Sequence, residues 1–247
     1  MGAAVAESGS HFSDKILQFL ERVEHRAATT PEEKEAAYRL RYDAYIRNEL
    51  IDPREDGRLH DKYDDAPNSW IVSTHIDGEM VATVRVSVAV GGDGVLPSHG
   101  VFSDIISPRL RAGHTIADFT RAAARLEASK RFPELPYLAL RPGFMALAHF
   151  DADFAIATPR ADHAAFYRRV FRFTPWSEER AYPNVAPKIM CLGMEYHAVR
   201  DGVEARYPFF RSTQDEREAL FGRRAATEQP RHAMVGRRPD LKVHASA

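Results

Sequence analysis

The sequence predicts an α/β fold in a single domain, residues 14–221, with a mixed central sheet flanked by helices. Three observations predict it. Helical and strand-like segments alternate along the chain, in the order helix, hairpin, strand, helix, strand, helix, strand. An Asp77-Gly78 turn joins two β-rich runs, which makes one strand pair antiparallel. The later strands are separated by helix-length connections, and such crossovers favour parallel pairing.

Taken in order, residues 1–13 are small and polar and are expected to be disordered. KILQFLERVEHRAA combines a helical apolar pattern with a strand-like end at RVEHRAA, and periodicity does not separate the two. TPEE follows. Thr30 suits an N-cap, Pro31 the first helical position, and Glu33 completes a capping box, so a helix should run from there to about Asn48. IDPREDGRLHDKYDDAPNS is a polar loop. WIVSTHIDGEMVATVRVSV reads as the hairpin. Alternation along its second strand puts Val84, Val86 and Val88 on one side and Thr83, Arg85 and Ser87 on the other. After the loop GGDGVLPSHG, HTIADFTRAAARL reads as a strand passing into a helix. PGFMALAHF is expected to be a helix starting near Pro142, DADFAIATP a strand, ADHAAFYRRVF a short amphipathic helix and APKIMCLGMEY another strand. Residues 222–247 lose apolar periodicity and become Arg-rich, as expected of a flexible basic tail.

Composition excludes several classes. With 247 residues, 44% hydrophobic and 28% charged, the chain can bury a sizeable core. A net charge of −1 is not that of a general polycation, so no nucleic-acid partner is expected. No apolar run approaches the roughly 18 residues of a membrane span. The N-terminus lacks a basic segment followed by an apolar one, and Ala6 stands where myristoylation needs Ser or Thr. The cytoplasm is the expected location, with membrane contact at most peripheral. The single cysteine, Cys191, excludes an internal disulfide and a cysteine-based metal cluster. The histidines show no H-x-x-x-H or H-E-x-x-H spacing, so no metal is expected, and no serine or cysteine sits in a nucleophile elbow.

Four groups of residues stand out. Arg41 and Tyr45 share a face of the first helix. HDKYD brings Asp61 and Asp64 into the following loop. Arg85 lies in the second hairpin strand. DFTR places Asp118 and Arg121 at the end of the next strand. Each has a plain alternative: Arg41 as a surface helix residue, Asp61 and Asp64 as turn formers, Arg85 as an outward strand residue, Asp118 as a helix cap.

In combination, these residues resemble the acyl-homoserine-lactone synthases, and more broadly the N-acyl amino acid synthases that share their acetyltransferase-like (GNAT) fold. Leu40-Arg41 with Tyr45 matches the family's "LR…F" on the first helix. His60-Asp61-Lys62-Tyr63-Asp64 matches the loop motif "ExDxxD", with Leu59 in its leading acidic place. Arg85 matches the strand arginine, and Asp118 and Arg121 match "ExxR", with Asp for Glu. Agreement is at motif level over about residues 35–125 and looser to about Tyr196. The two departures argue against S-adenosylmethionine as acceptor. ATPRADHAAFYRRVFRFTPWSEERAYPNV and RYPFF look more like the long-chain N-acyl amino acid synthases.

The resemblance implies an N-acyltransferase that moves a fatty acyl chain to the amine of an amino acid. No clean Q/R-x-x-G-x-G/A loop for a coenzyme A pyrophosphate is present, which points to an acyl carrier protein as donor. No cofactor is then needed, because the phosphopantetheine arrives on the donor. Asp118 is the expected base. Arg121 either steadies that carboxylate or binds the acceptor's. Arg41, Asp61, Asp64 and Arg85 are expected to form an ion network that closes the loop over the site, with Tyr45 as a wall, or else to lock the loop without doing chemistry. Phe144, Met145, Leu147 and Phe150 fit an acyl tunnel or ordinary core. Arg160, Arg168, Arg169 and Arg172 fit a docking face for an acidic carrier protein or a solvated basic face. Two rival readings are a quorum-signal lactone synthase and a non-catalytic acyl-binding module.

Overall fold

The computed structural model describes residues 12–222. The expected basic tail, apart from Gly222, and residues 1–11 of the expected disordered N-terminus lie outside the described residues. Phe12 and Ser13 belong instead to the first helix, α1 (12–19). Phe12 packs edge-on against Tyr137 and Phe209, and the Ser13 hydroxyl donates to the Arg206 carbonyl, which explains the order. The ambiguous segment after it resolves into a short 3-10 turn and β1 (Val23–Ala27).

Next come α2 (Pro31–Arg47), β2 (Ser69–Ile76) and β3 (Glu79–Ala89). The Thr30–Glu33 capping box forms as expected. Asp77 and Gly78 both take positive φ, 52° and 82°, the primed turn that matches strand twist. Then follow α3 (Ser103–Arg111), β4 (Ile116–Ala124), α4 (Leu126–Arg131), α5 (Leu135–His149) and β5 (Phe154–Ala157). The chain continues as α6 (Ala161–Phe171), β6 (Thr174–Pro175), β7 (Arg180–Tyr182), β8 (Val185–Ile189), β9 (Leu192–Glu195), α7 (Tyr196–Arg206) and α8 (Gln214–Phe221).

Seven strands form one sheet in the order β1-β2-β3-β4-β5-β9-β6, and β7-β8 is a separate hairpin. The sheet is mixed, as expected, but only β4 and β5 pair in parallel. The β7–β8 excursion brings the chain back to run β9 antiparallel to β5. It also corrects the single strand expected at APKIMCLGMEY, which is β8 and β9 in two different sheets. The break at Cys191 is held by Trp176 N–H on the Cys191 carbonyl and Cys191 N–H on the Ser177 hydroxyl.

Both faces of the sheet are covered. On one, Val84, Val86 and Val88 pack with Phe144 and Leu147 of α5 in the main core. On the other, α2 lies across β2–β4, and Thr83, Arg85 and Ser87 are buried beneath it. Helix α5 starts at Leu135, a turn or more before the expected start at Pro142. It is apolar around most of its circumference, so burial outweighs the cost of an internal proline. Gly143 lets it close on the sheet, since a Cβ there would lie 3.0 Å from the Phe119 ring.

Candidate active site

The loop after α2 is folded by its own carboxylates. Asp61 caps the 3-10 turn Lys62–Asp65 by accepting from Tyr63 N–H at 3.0 Å, and Asp64 Oδ2 accepts from Asp61 N–H at 3.0 Å. Their remaining valences face the arginines. Arg41 Nη1 donates to Asp64 Oδ1 at 2.7 Å. Arg85 Nη1 donates to Asp61 Oδ1 at 2.5 Å and lies 3.2 Å from Asp64 Oδ1. Arg121 Nη2 donates to Asp61 Oδ2 at 2.9 Å, and Arg85 Nε donates to the Thr120 hydroxyl at 2.9 Å. A tyrosine ring lies beside each guanidinium: Tyr38 by Arg41, Tyr63 by Arg85 and Tyr45 by Arg121.

A bulge brings Arg121 into this group. Its φ is +55°, in the left-handed region that a long side chain rarely takes. The β3–β4 register shifts at that point, so successive side chains, Thr120 and Arg121, both turn toward α2. The cluster holds three guanidinium groups and two carboxylates, an excess of one positive charge. Burial opposes the Asp61 charge, yet Arg85 and Arg121 hold its carboxyl well below the usual range. Burial likewise opposes the Arg121 charge, yet its surroundings, the hydrogen-bonded Asp61 carboxylate among them, hold the guanidinium above its ordinary value.

Beside the cluster is a cavity of about 640 Å³. β5 separates from β4 beyond the Phe119–Ala157 pair, and the exposed β4 edge from Thr120 to Ala124 lines the opening. Arg121, Tyr45 and Tyr182 line it along with Leu126, Leu135, Ala139, Leu140 and Phe166. Its lining thus combines arginines and hydroxyls with a large apolar wall.

Asp118 is the third residue of β4 rather than the last, and it caps no helix, since α4 starts from Arg125. It is fully buried and not part of the cavity wall. Both its oxygens accept from Ser98, Oδ2 from the N–H at 2.8 Å and Oδ1 from the hydroxyl at 2.9 Å. Burial pushes this carboxyl up to about 6 against those hydrogen bonds and the pull of Arg85.

Other expected residues lie elsewhere. Phe144, Met145 and Leu147 are in the core, and Phe150 packs against Trp70 and Phe221; none lines the cavity. The face of α5 that reaches the cavity carries Leu135, Ala139 and Leu140 instead. The four arginines do not form one patch. Arg168, Arg169 and Arg172 surround a surface depression with Phe173, whereas Arg160 pairs with Asp162 and lines the large cavity. Sequence reasoning missed Thr120, Tyr63, Ser98 and Tyr182. Of these, Tyr63 and Thr120 were within reach, inside the HDKYD and DFTR motifs. Among the described residues, no three His, Cys, Asp or Glu side chains come together so as to hold a metal ion. No helix among them is long and apolar enough to cross a membrane.

The family of the N-acyl amino acid synthase FeeM matches residues 36–195, more than half of the 247-residue chain. The chain belongs to this family. As a member of the FeeM N-acyl amino acid synthase family it is an N-acyltransferase, and the matched span runs from α2 through β9. No curated protein sequence matches it. Solved structures share the fold, FeeM, BjaI and LasI among them. FeeM, from uncultured soil microbes, superimposes with a TM-score of 0.64 at 13% identity, covering 75% of this chain and 98% of FeeM. BjaI, a CoA-dependent acyl-homoserine lactone synthase, gives 0.55 at 16% identity over 76% of this chain and 89% of BjaI. The AHL synthase LasI gives 0.54 at 12% identity over 81% of this chain and 94% of LasI. At such identities the likeness is one of fold, and it bears out the GNAT-like architecture.

Proposed function

We propose that this N-acyltransferase moves a fatty acyl chain from the phosphopantetheine thioester of an acyl carrier protein to the amine of an amino acid. The observation that carries the reading is the cavity, whose apolar wall suits an acyl chain and whose Arg121 suits the acceptor's carboxylate. The net positive charge of the arginine–aspartate cluster favours an anionic acceptor over a neutral amine. The thioester would lie along the β4 edge past Phe119. Backbone N–H groups there can take the carbonyl oxygen as it becomes negative.

The amine nitrogen attacks the thioester carbon, the C–N bond forms, and the C–S bond breaks to release the thiolate. Besides the proton that an amino acid's ammonium sheds to free its lone pair, one proton must leave the nitrogen as the amide forms and one must reach the sulfur. Asp118 is our candidate for the first transfer, through a bridging water because its carboxylate stands behind the cavity wall. At about 6 it is ionised at neutral pH yet more basic than an ordinary aspartate. Asp61, held by two arginines, is too weak a base. Mass spectrometry of lipid extracts from cells overexpressing the protein tests the reading: a new N-acyl amino acid is expected. An acyl lactone would replace it with lactone synthesis, and no new lipid would contradict it.

The carrier-protein donor rests on the missing pyrophosphate loop and on the exposed Arg168, Arg169 and Arg172. Carrier proteins are acidic, so such a face would speed their approach, less so at high salt. Reversing Arg168 and Arg169 to Glu is expected to raise KM for acyl carrier protein about tenfold at low salt, within the range of electrostatic steering. KM for a small acyl-pantetheine thioester should stay unchanged. Equal losses with both donors, or better use of acyl-coenzyme A than of acyl carrier protein by the unmodified enzyme, would contradict a carrier-protein donor.

A further inference from the structure

Tyr182 carries no motif, yet the fold fixes its position from several sides. It ends β7, lines the cavity, and donates its hydroxyl proton to the Pro97 carbonyl at 3.1 Å. Ser98, the next residue, is clamped to Asp118 of β4 through its N–H and its hydroxyl. Arg180, two residues before Tyr182, forms a two-point ion pair with Asp104 at 2.7 and 2.8 Å and donates to the Val101 carbonyl at 3.0 Å. The β8 side of the hairpin is tied to the loop after α2 by Ala186 N–H on the Leu50 carbonyl at 2.8 Å. The hairpin is therefore fastened at both edges.

The chemistry follows from the hydrogen bond. A phenol that gives its one proton to Pro97 has only oxygen lone pairs left for other partners, so toward substrate it is an acceptor. Burial raises its proton affinity further, and Asp118 and Asp61 add to this against the opposing pull of Arg121 and Arg85, so it stays a neutral acceptor at working pH. Arg121, also on the cavity wall, can only donate. An amino acid offers the reverse pair: N–H donors on its amine and acceptors on its carboxylate.

We propose that Tyr182 binds the acceptor's amine, its phenolic oxygen accepting a hydrogen bond from the attacking nitrogen while Arg121 holds the carboxylate. The inference rests on the reading of the reaction as acylation of an amino acid.

Tyr182→Phe keeps the ring and removes the oxygen. Steady-state kinetics are measured with the amino acid varied at saturating donor, then with the donor varied at saturating amino acid. The expected result is an acceptor KM raised about tenfold, the size of one hydrogen bond, with donor KM within about twofold. Repeating the comparison with the amino acid's carboxamide should show the same loss for Tyr182→Phe, because the amine is unchanged. Arg180→Ala, which loosens the hairpin without touching the ring, serves as control and should move both KM values together. An unchanged acceptor KM in Tyr182→Phe, or a donor KM that rises equally, overturns the inference while leaving amino acid acylation intact. An unmodified enzyme that acylates no amino acid overturns both.

Discussion

Asp118→Asn is expected to lower kcat by about 10²-fold or more, the usual contribution of a general base, without loss of fold. Asparagine fits the same place: its Oδ1 can accept from Ser98 N–H while its Nδ2 donates to the Ser98 hydroxyl, so both contacts survive. The variant removes the charge and little else. Two pH profiles make the test specific. In the unmodified enzyme, kcat/KM should fall as pH drops below about 6, as the carboxylate takes up its proton; Asp118→Asn should lack that limb. Stability should run the other way. The folded state binds this proton more tightly than the unfolded chain does, so Asp118 favours folding below the ordinary value of 3.8, and that contribution is lost as pH rises toward about 6. The loss is on the order of 3 kcal/mol, and Asp118→Asn should remove it, leaving a melting temperature at pH 7 no lower than that of the unmodified protein. Asp61 has the opposite sign: its stabilisation is present above its unfolded-state value and disappears only in strong acid. Near-normal turnover by Asp118→Asn with both substrates saturating would remove Asp118 as the base.

Arg85→Ala should be the most destabilising change at the site. Arg85 is buried and bonds Asp61, Asp64 and Thr120. Its loss leaves Asp64 buried with Arg41 alone, and Asp61 with Arg121 alone. Breaking a buried pair from one side costs about 3–5 kcal/mol. In a domain of this size that corresponds to roughly 6–20 °C in melting temperature. Activity should fall as well, because the loop that carries Asp61 loses one of its two anchors to the sheet. Arg85→Lys should recover only part of the stability, since an ammonium cannot reach Asp61 and Thr120 with the fork of a guanidinium. Thermal unfolding and steady-state kinetics decide together. If neither changes, Arg85 has no structural hold on the loop.

The frame of the fold was legible where the signals are short in range. Thr30–Glu33 marks a helix start, Asp77-Gly78 marks a turn, and alternation around Arg85 assigned its side chain to the face opposite Val84 and Val86. One such signal was overlooked: Thr213 and Glu216 form a capping box at the start of α8. Helix α3 was harder, because Pro108 interrupts its pattern. The pairing of Arg41 and Arg85 with Asp61 and Asp64 followed from the family motifs, whereas Arg121, expected to steady the Asp118 carboxylate or bind the acceptor's, holds Asp61 rather than Asp118; a left-handed backbone at an arginine, which aims it there, has no sequence signature. The cavity was the least legible part. Its walls come from α5, α6 and the β7–β8 hairpin, far apart in sequence. Along α5, periodicity could not tell Leu140, which faces the cavity, from Phe144, which faces the core, because the helix is apolar on nearly every side.

Amino acid acylation from a carrier protein can be measured with purified protein, an acyl carrier protein loaded with a long-chain fatty acid, and a mixture of amino acids, followed by mass spectrometry of the products. The expected result is an N-acyl amino acid formed in step with the release of free carrier-protein thiol, and slower formation when acyl-coenzyme A replaces the loaded carrier. Thiol release without an amide, or transfer to S-adenosylmethionine but to no amino acid, would contradict it.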